Sequence, residues 1–343
     1  MAAAAAEPEN VGRRAGSGLR VCVLGATGTV GAASVEALVR AGHEVVAFVR
    51  PDGGAERYRK RAQSLPLLTQ ARLEPVALAE ASLAQGFSAE RFDAVVSCLA
   101  SRHGGPRDAW AIDHLAQSGA LRAAREAGVA HFVLLSAICV QKPRLAFQHA
   151  KLAFEAELVA SGLRYSIVRP TALFKSLSGQ IERVRRGRPF LVFGTGELTA
   201  CKPISDRDLA EYIAGCLDQE SRWNRILPIG GPGEAITPRQ QGAMLFEALG
   251  RAPRFRSVPV ALLDGIVAGL GGMSRIWPRL ADKAEFARIG RYYATESMLL
   301  LDPRTGRYDA AATPATGRDS LLDFYRAVAS GEASVDRADH AVF

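Results

Sequence analysis

At 343 residues, 48% of them hydrophobic, the chain is long enough to bury a large α/β core and to append a smaller part to it. Its 43 Lys and Arg against 35 Asp and Glu give a net +8; this suits an anionic ligand, but without a basic stripe interleaved with aromatics it does not make a nucleic-acid binder. Five scattered cysteines without CxxC spacing argue against a disulfide framework or a metal site and for a reducing compartment, and no apolar run is long enough to span a bilayer.

Residues 1–18 are rich in Ala, Gly and Arg, include Glu7 and Glu9 and lack an apolar signal core; a disordered tail is expected rather than an import signal. Val21-Cys22-Val23-Leu24 then suits a buried parallel strand and runs into Gly25-Ala26-Thr27-Gly28-Thr29-Val30-Gly31, followed by helix formers from Ala32 to Ala41. In a strand, glycine turn and helix of this kind, Gly25 takes the tight turn and Gly28 lets the backbone approach a pyrophosphate. Gly31 lets the helix pack closely on the strand, and the free N–H groups of the helix face the phosphates. Gly25, Thr27, Gly28, Thr29, Val30 and Gly31 are therefore the expected cofactor cradle. The GxxGxxG spacing resembles the extended or atypical branch of the short-chain dehydrogenase/reductase superfamily.

Glu44 to Arg50 reads as the second strand. About twenty residues beyond such a turn an NAD enzyme places an acid on the ribose, whereas an NADP enzyme favours a cation for the 2′-phosphate. Arg50 stands there, followed by Arg57, Arg59, Lys60 and Arg61. NADPH is expected, with Asp52 as the competing acid and most of the basic run read as an exposed helix face. Arg72 to Leu78 and Phe92 to Ala100 read as the third and fourth strands. Ser97 and Leu99 close the latter at the carboxyl edge, where ligands bind in such sheets. A helix from Arg107 to Ala127 leads to the fifth strand, His131 to Leu135, which ends at Ser136. This alternation argues for a doubly wound parallel Rossmann sheet of the α/β class.

The next helix, Arg144 to Ala160, carries Phe147-Gln148-His149-Ala150-Lys151. The superfamily resemblance implies Tyr-x-x-x-Lys here, the tyrosine donating a proton to a carbonyl and the lysine holding the nicotinamide ribose. Lys151 matches and Phe147 does not; four-residue spacing still puts both on one helix face, but a phenyl ring cannot donate a proton. Either the chain binds without catalysing, or its substrate has no carbonyl oxygen to protonate. Phe147 and His149 are carried as candidate substrate contacts, against packed or solvent-facing side chains.

Tyr165 to Thr171 is the sixth strand and its exit, and the same resemblance implies that Pro170, Thr171 and Phe174 lie near the nicotinamide amide. Residues 19–175 are thus expected to form the NADP-binding domain and 176–330 the substrate-binding region, with some elements returning to the first, before a tail from 331 to 343. Ser205 and Thr237, the latter followed by Pro238, read as helix N-caps. Val260 to Met273, the most apolar stretch, is expected to be a packed helix, with a lid or a membrane-surface patch as the other readings.

Several stretches together resemble the NADPH-dependent divinyl chlorophyllide 8-vinyl-reductases, atypical short-chain reductases of chlorophyll and bacteriochlorophyll synthesis. They are Leu134 to Pro143, Tyr165 to Thr171, Cys201 to Ser205, Leu227 to Gly233 and Ile289 to Ala294. The resemblance runs from about Leu19 to about Ala327. It implies hydride transfer from NADPH to the 8-vinyl group of a divinyl chlorophyllide or related Mg-tetrapyrrole, giving an ethyl group. It fits the missing tyrosine, because the macrocycle delocalises the charge that hydride leaves on a vinyl carbon. A non-catalytic NADP-binding sensor or assembly factor, and a reductase of another conjugated alkene, stay open. No metal or nucleic acid is expected. The expected location is bacterial cytoplasm in loose contact with pigment-bearing membranes, or a plastid if the source is a plant or alga.

Overall fold

Val21, Cys22, Val23 and Leu24 are all buried, the continuous apolar run of a parallel strand covered by helices on both faces. The computed structural model describes residues 18–102 and 104–333; the tail expectations for 1–17 and 334–343 lie outside these. The first strands are β1 (Arg20–Leu24), β2 (Glu44–Val49), β3 (Arg72–Pro75), β4 (Ala94–Ser97), β5 (His131–Leu135) and β6 (Arg164–Pro170). The next, β7 (Phe190–Phe193), leaves the sheet, and β8 (Arg225–Ile229) returns to it. The resulting order is β3-β2-β1-β4-β5-β6-β8, parallel at every pairing. The direction of winding reverses between β1 and β4, and the crevice at their carboxyl ends is where open α/β sheets bind ligands.

The helices are α1 (Thr29–Arg40), α2 (Gly54–Ala62), α3 (Glu80–Ser88), α4 (Pro106–Ala109), α5 (Gln117–Glu126), α6 (Ala146–Ala160), α7 (Ile181–Arg185), α8 (Asp206–Gly215), α9 (Pro238–Ala248), α10 (Val260–Ile276), α11 (Ala281–Thr295) and α12 (Leu321–Ser330). Alternation along β1 sends Val21 and Val23 toward α1 and α8, where Val35, Leu38, Leu209 and Ile213 complete one core. Cys22 and Leu24 face α3, α5 and α6 in the other. A third core, around Phe190, Leu245, Phe246 and Tyr325, joins α9 and α12 to the small parallel pair of β7 with β9 (Phe255–Val258). The helix starts follow the caps: Ser205 accepts from the Asp208 N–H, and Thr237 from the Gln240 N–H with Pro238 in the first turn.

The region from 260 to 273 departs from the expectation of a packed helix. No residue of α10 is buried, and Leu262, Ile266, Met273 and Ile276 stand exposed. Its partner is α11, on one side. Gly265, Gly269 and Gly272 meet nothing within 4 Å of an added Cβ, so these glycines serve no close helix contact, and among the described residues no second layer covers the outward face.

The contact that seats α1 on the sheet predicts its own failure. A Cβ at Gly31 would lie 2.1 Å from the Gly25 carbonyl oxygen, so Gly31→Ala is expected to cost about 1–3 kcal/mol of unfolding free energy. Gly290→Ala, within α11 and with nothing within 4 Å, is expected to gain about 1 kcal/mol. Urea denaturation of both variants checks the pair.

Candidate active site

The glycine turn is held by backbone. Gly25 has φ +77, its carbonyl accepts the Gly28 N–H at 3.0 Å, and a Cβ there would lie 2.6 Å from the Cys98 carbonyl oxygen. Gly28 caps α1 without a side-chain bond, leaving the first N–H groups of the helix to an external acceptor; an anion suits them by hydrogen bonding and by helix dipole. Two cations converge on the same turn: Lys175 Nζ donates to Thr29 Oγ1 at 2.9 Å and Arg61 reaches that oxygen at 3.5 Å. Asp206 lies close by; burial pushes its carboxyl up to about 6 against the pull of Lys175 and Arg61. Glycines that leave room for a ligand, open N–H groups and clustered cations fit a pyrophosphate. Thr27 is half-buried in the turn, and Arg50 is exposed just past β2.

A cavity of about 470 Å³ is lined by this turn, by Ser136, Lys151, Pro170 and Thr171, and by Phe147, Ile289 and Tyr293. Lys151 extends from α6 to place Nζ 2.9 Å from Asp113 Oδ1, with the two side chains only 11% and 0% exposed. Asp113 sits in a π-helical segment, Trp110–Ala116, inserted between α4 and α5. Such widened turns commonly mark functional sites. Its other oxygen, Oδ2, is buried with no hydrogen-bond partner among the described residues. Buried Gln148 fixes the start of α6 by accepting the N–H groups of Arg144 and Leu145 and donating to the Cys139 carbonyl. That sets the face which presents Phe147 and Lys151 together.

The sequence-predicted residues divide. Gly28, Thr29, Val30, Gly31, Ser136, Phe147, Lys151, Pro170 and Thr171 all line the cavity. The Ser136 hydroxyl donates to Glu155 at 2.5 Å, and that of Thr171 donates to the Lys202 carbonyl. Ser97 and Leu99 do not line it: Ser97 Oγ donates to Gln117, which in turn donates to the Leu99 carbonyl. Strand alternation turns Cys98 toward the ligand side instead. Phe174 is buried against Phe324, and its neighbour Lys175 takes the cavity position. His149 is exposed; two residues from Phe147 is about 200° around the helix, which turns it away. Sequence reasoning missed Asp113, Lys175, Arg61 as a turn contact, and Tyr293. The signal for Asp113 was an acid within an otherwise uncharged helical turn; for Tyr293 it was a place in the Ile289 to Ala294 stretch that its chemistry did not absorb.

Residues 25–220 match the NAD(P)H-binding family model. The chain is 48% identical over 350 aligned positions to the chloroplastic divinyl chlorophyllide a 8-vinyl-reductase of Oryza sativa subsp. indica, an alignment covering 100% of this chain and 86% of that protein. The enzyme of the same name from Zea mays is 47% identical, covering 94% and 82%. This chain belongs to the divinyl chlorophyllide a 8-vinyl-reductase family. Among solved structures, the NADPH-dependent quinone oxidoreductase of Escherichia coli complexed with NADPH superposes with a TM-score of 0.64 at 17% identity, covering 90% of this chain and 99% of that one. At that identity the likeness shows a shared fold. The vinyl-reductase family match, unlike the cofactor-half model, extends through α11 and the cavity wall it supplies.

Two outcomes follow from the charges in this site. Asp113→Ala strands the Lys151 ammonium in a nearly dry cavity and is expected to cost about 3 kcal/mol or more, with Asp113→Asn costing less because the amide still accepts a hydrogen bond; urea unfolding measures both. Asp206 has a folded pKa raised from 3.8 to about 6, so between those values the folded state holds the extra proton. The stability this contributes is full below pH 4 and lost as pH rises through 6. The stability of Asp206→Asn relative to wild type should therefore rise between pH 4 and 6 and level off above, as read from urea midpoints at each pH.

Proposed function

We propose that this protein reduces the 8-vinyl group of a divinyl chlorophyllide, or its protochlorophyllide relative, to ethyl with NADPH, in chlorophyll or bacteriochlorophyll synthesis. The observation that carries the reading is the wall of the cavity beside Lys151. Where carbonyl reductases of this superfamily hold a phenol, Phe147 packs with Ile289 over Gly104, an added Cβ on which would lie 2.9 Å from Ile289 Cδ1 and 3.5 Å from Phe147 Cδ1. A flat apolar alkene suits such a wall, and a carbonyl would find no proton donor at residue 147.

In this reading Gly25, Gly28 and Gly31, with Thr27, Thr29 and Val30, cradle the pyrophosphate, assisted by Lys175 and Arg61. Arg50 meets the 2′-phosphate, and Lys151, oriented by Asp113, holds the nicotinamide ribose. Ser136, Pro170 and Thr171 shape the nicotinamide side. When bound, the cofactor supplies hydride; the chain binds, orients and keeps water out. The apolar outward face of α10 rests on a pigment-bearing membrane, a peripheral contact, since no described helix is long and apolar enough to cross one. The relatives named above are chloroplast proteins; a plastid and the bacterial cytoplasm both supply the pigment and the reductant.

Phe147 also favours a second reading, an NADP-binding protein without turnover. Purified protein incubated with divinyl chlorophyllide and NADPH is expected to yield the 8-ethyl pigment, resolved by chromatography, with little product from NADH. Arg50→Ala should raise the KM for NADPH about tenfold, the effect of losing one charge-assisted contact, and leave that for NADH unchanged. Tight NADPH binding without product would favour the second reading.

A further inference from the structure

Alkene reduction needs a proton as well as a hydride, and residue 147 cannot give one. Among the described residues lining the cavity, several groups that carry or accept a proton are engaged. Asp113 is paired with Lys151. Glu296 accepts from Lys142 at 2.7 Å, from Arg144 at 3.0 Å and from the Tyr308 hydroxyl at 2.8 Å. The Ser136 and Thr171 hydroxyls are directed to Glu155 and to the Lys202 carbonyl.

Tyr293 differs. Its ring shares the face of α11 that carries Ile289 and lines the cavity beside Phe147, and among the described residues its hydroxyl meets a sulfur, Cys139 Sγ, at 3.9 Å. Sulfur is a weak acceptor, so this O–H is free to turn to a better one. The adjacent Tyr292 is fully spent, donating to the Cys139 and Lys142 carbonyls.

The helix that carries this phenol is tied to the loop before α6. Glu285 of α11 accepts the Ala146 N–H at the start of α6 at 2.7 Å, Tyr292 ties the same helix to the loop before α6, and Glu296 binds Lys142 and Arg144 of that loop. Burial holds the Tyr293 phenol well above its ordinary pKa, so it enters the reaction protonated.

We propose that Tyr293, from α11, is the catalytic proton donor, delivering the proton that residue 147 cannot. The assignment rests on the vinyl-reductase reading. Hydride from NADPH forms a C–H bond at the outer vinyl carbon while the C=C π pair moves to the inner carbon and into the macrocycle. The Tyr293 O–H bond breaks as its proton bonds to that inner carbon; NADPH is oxidised to NADP⁺, the alkene is reduced to ethyl, and the tyrosinate recovers a proton from water.

The test is Tyr293→Phe beside wild type, with single-turnover reduction of divinyl chlorophyllide, affinity for NADPH, affinity for the pigment in the presence of NADP⁺, and the solvent deuterium isotope effect on the rate. The expected result is a rate lowered about 100-fold or more, both affinities within about twofold of wild type, and a larger isotope effect because proton delivery has become limiting. A variant that turns over within about threefold of wild type overturns the assignment, as does one whose pigment affinity falls in step with its rate. Wild type that binds both ligands yet makes no ethyl product sinks the substrate reading and the donor with it, whereas an active wild type beside an equally active variant sinks the donor alone.

Discussion

An ammonium group in an apolar cavity is tolerable only beside a counter-charge, and the pairing of Lys151 with Asp113 at 2.9 Å is the constraint from which the rest of the site is arranged. Moving either ion out of water costs several kcal/mol, recovered only when geometry is good. The π-helical segment at Trp110–Ala116 is the local expense of that geometry. A widened turn re-aims the residues that follow it, and here Asp113 faces α6 while Gln117, one turn on, bonds Ser97 at the end of β4. One irregular turn thereby connects the cofactor edge of the sheet to the helix carrying Lys151.

The second half of the site is fastened to the first through the loop before α6. Glu285, Tyr292 and Glu296 of α11 and its exit bind the backbone or cations of residues 139–146. Gln141 adds two bonds to the backbone of Leu299 and Leu301. Because these partners, Arg144 excepted, are buried or half-buried, releasing α11 would leave polar groups unsatisfied, a cost of about 1–3 kcal/mol for each. The wall formed by Ile289 and Tyr293 is therefore set by the same loop that sets Phe147 and Lys151, and the cavity has one preferred shape.

The sheet was legible because its signals are local. Apolar runs such as Val21 to Leu24, the glycine spacing, and the caps at Ser205 and Thr237 each specify their own structure within a few residues. Lys151 was singled out through the superfamily's Tyr-x-x-x-Lys pattern, and it lines the cavity. Asp113, Lys175 and Tyr293 were not, since each gains its meaning from a partner far along the chain: Asp113 from Lys151, Lys175 from Thr29, Tyr293 from Cys139. Ser97 and Leu99 were misplaced by a single step of strand alternation, and Phe174 by one residue of a 3-10 turn. The stretch from Val260 to Met273 misled by composition, because apolar residues declare a wish to be covered without saying that this chain supplies the cover.

The exchange of phenol for phenyl at residue 147 has a physical logic that reaches beyond one residue. When hydride reaches a carbonyl, negative charge localises on oxygen and a donor must stand within hydrogen-bond reach of it. When hydride reaches an alkene conjugated to a large ring, the charge spreads, the electrostatic demand at the reacting carbon falls, and what remains is delivery of a proton to carbon. That task does not require the donor to share a helix face with the ribose-binding lysine. On the proposal above it requires an apolar wall for the substrate, the part given to Phe147 and Ile289, and a hydroxyl without a strong partner of its own, the part given to Tyr293 of α11. Separating the two roles onto α6 and α11, as proposed, also gives a reason for the many polar contacts between the loop before α6 and α11: donor and cofactor would be positioned by different helices, so the registration between those helices must be fixed by the fold.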